Sequence, residues 1–246
     1  FNMTWQKMKV KNLSLAAGAA ATNTSVGPYI DSYQVQTLSE GYAPYMFYVY
    51  HQLYDEKTGK PVEGAYVDLN GDGEITPEDR TMIGNPTPKV TYGFSLGVNY
   101  KNWSLGIDMM GQGGNKIFRT WDNYNFAQFN YLEQRLDRWH GEGTSNTQPL
   151  LNSKHSINYL NSDYYIESGN FFRIRNVQLA YSFDKALLAK IRLQALKVYV
   201  NIQNLKTWKH NTGYTPEIGG SAIAFGVDNG TYPVPAVYTF GINLTF

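Results

Sequence analysis

From Val234 to Phe246 the chain alternates strictly. Val234, Ala236, Tyr238, Phe240, Ile242, Leu244 and Phe246 take the even positions, and Pro235, Val237, Thr239, Gly241, Asn243 and Thr245 the odd ones. A period of two with one apolar face is the mark of a β-strand. Earlier in the chain, Val90, Tyr92, Phe94, Leu96, Val98 and Tyr100 alternate with Thr91, Gly93, Ser95, Gly97 and Asn99. Beyond Lys101-Asn102 the apolar set moves to odd positions, at Trp103, Leu105, Ile107 and Met109. A two-residue hairpin requires that parity switch, because Tyr100 and Trp103 then face each other across the turn and share one face. Two more strands follow. Val177, Leu179, Tyr181 and Phe183 carry the apolar face of one, and Leu196, Val198, Val200 and Ile202 that of the other. A weaker alternation runs from Thr4 to Ala21.

These six strands are joined unevenly. The links at 101–102 and 184–195 are short, the second with room for one helical turn over 185–191. Those at about 22–89, 117–170 and 206–233 are long, and short and long links alternate. Structureless loops of such length are uncommon inside a compact domain. Short turns at one end and long loops at the other are the habit of outer-membrane barrels. The long links have some pattern of their own: Leu132, Leu136 and Trp139 in "YLEQRLDRWH" (131–140) have helical spacing.

Composition agrees with an all-β reading. Aromatics make up 15% of the 246 residues, with 20 Tyr and 23 Gly, as suits a barrel with aromatic girdles. A net charge of +1 without a long single-sign run offers no nucleic-acid footprint. Without cysteine there is neither a disulfide framework nor a thiolate metal site. No run of about 18 apolar residues provides a transmembrane helix, which leaves barrel strands untouched. The chain starts at Phe1-Asn2-Met3, and six strands are too few to close a wide barrel, so a C-terminal piece of a longer protein is expected.

Three groups of residues are candidates for chemistry. "DLNGDGEITPED" (68–79) has the spacing of a calcium loop: Asp68, Asn70 and Asp72 at alternate positions, Gly73 at the sharp turn, the Glu74 carbonyl next and Asp79 last. With no flanking amphipathic helices, the expected role is a structural Ca2+ staple; the alternative is an ion-free turn. Trp121, Tyr124, Asn125 and Phe126 open a run of rings and amides able to stack on and hydrogen-bond a sugar; the alternative is loop packing. Arg173 and Arg175 suit either lipopolysaccharide phosphates or the lumen rim. The four histidines lack metal-ligand spacing, and no nucleophile elbow, P-loop or paired-carboxylate motif stands out, so no enzyme is expected.

Several blocks resemble the C-terminal part of SusC/RagA-type TonB-dependent transporters of Bacteroidota. They are "DLNGDGEITPEDRTMIGNP" (68–86), "GNPTPKVTYGFSLGVNYKNWSLGIDMMGQGGNKIF" (84–118), "SGNFFRIRNVQLAYSF" (168–183), "LKVYVNIQNLKTW" (196–208), "GYTPEI" (213–218) and "YPVPAVYTFGINLTF" (232–246). The resemblance implies a large antiparallel transmembrane β-barrel of about 22 strands with an N-terminal plug. This chain supplies about the last six strands, and the plug and TonB-contacting residues lie outside it. Implied with it are the outer membrane of a Gram-negative bacterium, extracellular long loops, and contact with lipid and lipopolysaccharide. The implied partners are a SusD-like surface lipoprotein as lid, TonB through the plug, and an oligosaccharide or peptide cargo. Tyr238, Phe240, Ile242, Leu244 and Phe246 look like the terminal assembly signal of such barrels. The competing reading is a soluble, calcium-stabilised β-sandwich that binds carbohydrate.

Overall fold

A computed structural model describes residues 1–15, 19–20, 23–30, 33–121, 131–145, 148, 150, 160–219 and 225–246. Six strands form one antiparallel sheet, called the wall here: β1 (Asn2–Trp5), β2 (Val90–Tyr100), β3 (Trp103–Gly113), β4 (Phe171–Ser182), β5 (Ala195–Lys209) and β6 (Val237–Thr245), paired in that order. Tyr100 opposes Trp103 across the Lys101-Asn102 turn, as the parity switch requires. The second short link holds α1 (Lys185–Ala189).

β1 is shorter than the alternation suggests. Its pairing ends where Trp5 opposes Val90, with one further bond from the Gln6 amide to the Lys89 carbonyl. Beyond Val90 the partner has run out, because Pro86 and Pro88 lack the amide hydrogen that a strand needs.

The three long links are not structureless. Strands Asn23–Ile30, Tyr33–Ser39, Met46–Tyr50 and Arg80–Met82 form a second sheet. Lys116–Arg119 lies between Ile166–Ser168 and Val227–Asp228 in a third. The hydrophobic core sits in this loop layer. Val35, Phe47 and Val49 come from the first link, Phe118 and Tyr165 from the second and Val227 from the third, and all pack into one buried cluster. Each such side chain contributes about 1.5–3 kcal/mol on burial, so the links are held by each other. Arg119 fastens them further. Its guanidinium lies over the rings of Tyr164 and Tyr165 and bonds Glu167 at 2.9 Å. Glu167 in turn accepts from the Thr212 amide and hydroxyl.

The helical spacing at 131–140 yields only a short 3-10 segment, Glu133–Asp137. With three residues per turn, Leu132 and Leu136 no longer share a face. Both are exposed, and Arg135 is the residue turned inward.

Candidate functional site

Register decides what the two faces of the wall carry. On one face, rows cross the strands as Leu96–Ile107–Val177–Ile202–Tyr238 and Val98–Leu105–Leu179–Val200–Phe240. These side chains meet solvent: Phe240 is 78% exposed and Ile242 66%. No second sheet covers them among the described residues, so they are not the inside of a sandwich. Aromatic rows bound the face. Tyr100, Trp103 and Tyr181 mark the short-turn end, with the rings of Trp103 and Tyr181 4.8 Å apart. Tyr92, Phe172 and Trp208 stack at the other end, 6.4 and 5.6 Å apart. From Tyr92 to Tyr100 is about 27 Å along an antiparallel strand. Strand tilt shortens that along a membrane normal, against an apolar band of about 25 Å in outer-membrane barrels.

The opposite face is polar. Asn176 faces Gln203, and Gln178, Asn201 and Thr239 share the next row. Among the described residues none of these side chains bonds another protein group, so their donors and acceptors stand ready for solvent, solute or another segment. The face forms a groove lined by Ser95, Asp108, Arg173, Asn176, Gln203 and Glu217 among others. Ser95 donates to Asp108 at 2.7 Å.

A β-bulge sets the chemistry of the groove rim. Counted back from Val177, Phe172 falls on the polar side and Arg173 and Arg175 on the apolar side. Instead Asn176 opposes Asp108 while Ile174 opposes Met109, so Arg175 is the extra residue. β5 bulges opposite it, with Asn204 at a φ of 53°. A one-residue slip exchanges the faces beyond it. Phe172 therefore joins the aromatic row and Arg173 turns into the groove. Arg173 is buried, donates to the Thr207 hydroxyl at 2.7 Å and pairs with Glu217 from the third link. Of the two roles open to Arg173, the geometry gives that of a groove-rim residue tying a loop to the wall. Sequence reasoning had no signal for Glu217, because the pair spans 44 residues.

The 68–79 loop folds as a nest of side-chain-to-amide bonds. Asp68 accepts from the amides of Gly71 and Gly73, Asn70 from Asp72, and Asp72 from Glu74. Gly71 and Gly73 take φ values of 76° and 85°, which glycine adopts freely. Asp79 is fully buried. It accepts from the amides of Leu69, Asn70 and Thr76 and closes a capping box with Thr76. These amides hold its carboxyl below the usual carboxylate range, the Thr76 amide most of all. The donor types suit a hard cation. Their arrangement is less suited, because both oxygens of Asp79 are engaged, and among the described residues no three acidic or imidazole side chains converge as a metal-holding group.

Of the aromatic cluster, Tyr124, Asn125 and Phe126 lie outside the described residues. Trp121 is half-buried beside Thr120, which bonds Asp228 and Asn229, and its buried indole N–H has no partner among the described residues. His51 is committed to Asp163 at 2.5 Å, a contact between the first two links.

An open antiparallel sheet, apolar outside between aromatic rows and polar inside, is part of the wall of a large β-barrel. No family model matches the chain, but individual relatives do. TonB-dependent receptor P3 of Formosa agariphila is 28% identical over 87% of this chain and 23% of its own length. TonB-dependent receptor SusC of Bacteroides thetaiotaomicron is 28% identical over 100% of this chain and 24% of its own. The RagAB peptide transporter structure superposes over 99% of this chain and 26% of its own, with a TM-score of 0.74 at 23% identity, a likeness of fold. The chain is thus homologous over most of its length to the TonB-dependent receptors, SusC among them, and spans about a quarter of the relatives it matches.

Proposed function

We propose that the protein containing this chain imports nutrients across the outer membrane, with this segment as part of the transport wall. The observation that carries the reading is the exposed apolar face between two aromatic rows, backed by a polar groove. Such a face is stable only against hydrocarbon, and a closed sheet satisfies its backbone there. The homology to SusC supports the same reading. In it the loop layer is extracellular, a SusD-like lipoprotein serves as lid, TonB supplies the energy, and the cargo is an oligosaccharide or peptide. The Trp121–Phe126 run is a cargo or lid contact. Tyr238, Phe240, Ile242, Leu244 and Phe246 serve in assembly as well as facing lipid.

The test is purification of the native assembly. Recovery only in detergent, together with a lipoprotein and an energised uptake activity, is the expected result. Recovery as a folded soluble monomer would overturn the reading.

A calcium ion in the 68–79 loop belongs to the same proposal. The alternate spacing of Asp68, Asn70 and Asp72 and the turn at Gly73 support it, with the Glu74 carbonyl as a further donor. Asp79 joins as the last ligand only by giving up its bonds to the Leu69, Asn70 and Thr76 amides. Calorimetric titration with Ca2+ decides the point: no heat at millimolar calcium would leave a purely hydrogen-bonded staple.

A further inference from the structure

The short-turn end of the wall carries a feature the transport groove does not use. α1 is pinned by Leu188, which is buried, while Leu187 and Ile191 are 54% and 61% exposed. Lys185, Lys190 and Arg192 flank these two residues in the chain, and the 101–102 turn, tied to α1 by the bond between Asn102 and Asp184, carries Lys101. All four cations are exposed, and none has an ion pair among the described residues. The ammonium of Lys101 rests 5.4 Å from the centre of the Tyr100 ring. Along both short links, 101–102 and 184–195, the sole carboxylate is Asp184, which is bonded to Asn102 at 2.8 Å. The aromatic row of Tyr100, Trp103 and Tyr181 lies immediately next to this end.

We propose that this rim docks into the phospholipid headgroup layer and binds anionic lipid phosphate. A hairpin meant for water alone would gain nothing from exposing Leu187 and Ile191. Apolar tips among unpaired cations are what an interfacial segment presents: the tips enter the acyl boundary and the cations stay at phosphate level. The position supports the assignment, because the rim continues an apolar face that ends in interfacial aromatics. The excess of cations over the single, already bonded carboxylate selects an anionic headgroup over a zwitterionic one. The inference rests on the membrane reading above.

The experiment uses the full-length receptor containing this chain, reconstituted in bilayer discs of mixed phosphatidylglycerol and phosphatidylcholine. Lipids retained by the protein are weighed by native mass spectrometry. The wild type is expected to prefer phosphatidylglycerol by about tenfold at low salt, falling as salt screens the contact. The variant Lys185→Gln/Lys190→Gln/Arg192→Gln is expected to lose most of that preference while the barrel stays folded. Equal lipid preference in both proteins, or a wild-type preference indifferent to salt, overturns the proposal and leaves the transport reading standing. A receptor that needs no membrane overturns both.

Discussion

Arg173 and Glu217 join the wall to the third long link, a buried guanidinium on β4 meeting a carboxylate 44 residues further along the chain. Removing the carboxylate strands a buried cation at the groove rim. Glu217→Ala is expected to cost about 3 kcal/mol and to open the 210–219 segment to protease. The double variant Arg173→Met/Glu217→Leu is expected to recover most of the loss. Thermal unfolding with limited proteolysis of the assembled receptor checks both; an unchanged Glu217→Ala would show that the pair holds nothing.

The two faces of β6 predict opposite responses to charge. Phe240 lies on the apolar face and Thr239 on the polar one. Phe240→Arg is expected to destabilise the barrel by about 2–4 kcal/mol, the cost of arginine near a bilayer midplane. Thr239→Lys is expected to be nearly neutral. The fraction of heat-resistant barrel on a semi-native gel reads out both. Equal tolerance at the two positions would argue against a lipid-facing wall.

Asp79 makes the loop layer sensitive to acid. Its carboxylate is favoured in the folded state by three backbone amides, so its folded pKa lies below the unfolded one, about 3.9. The stabilisation is therefore complete above about pH 4 and is lost as the pH falls through the lower folded value. Asp79→Asn removes this dependence. Denaturation midpoints of the two proteins are expected to converge on acidification and to stay apart near neutral pH. Parallel profiles would mean that the amide contacts do not discriminate the charged form.

The core of the loop layer predicts where truncation hurts. Phe47 is fully buried, with its ring 5.9 Å from that of Phe118. Phe47→Ala is expected to cost about 3–5 kcal/mol by leaving a cavity where two links meet. Leu136→Ala, on an exposed side chain, is expected to stay within about 0.5 kcal/mol. Chemical denaturation followed through a fluorophore in the loop layer would register the difference.

Much of the wall was legible beforehand because a strand's period of two is a local property. Tyr100 and Trp103 announce their own hairpin, and the even positions of 234–246 announce their common face. The loop layer was not legible. Val35, Phe118 and Val227 are far apart in the chain, and nothing near any of them marks the other two as neighbours. The 68–79 spacing showed donor types but not that the amides of Leu69, Asn70 and Thr76 would claim Asp79.

The sequence by itself determined that this is an antiparallel wall with one apolar face, short turns at one end and long links at the other, since alternation and turn chemistry are written residue by residue. Only the tertiary structure decided which way Arg173 points and that the long links share a core. A single bulge at Arg175 reverses every side chain beyond it, and burial in the loop layer depends on contacts between segments that local patterns do not encode.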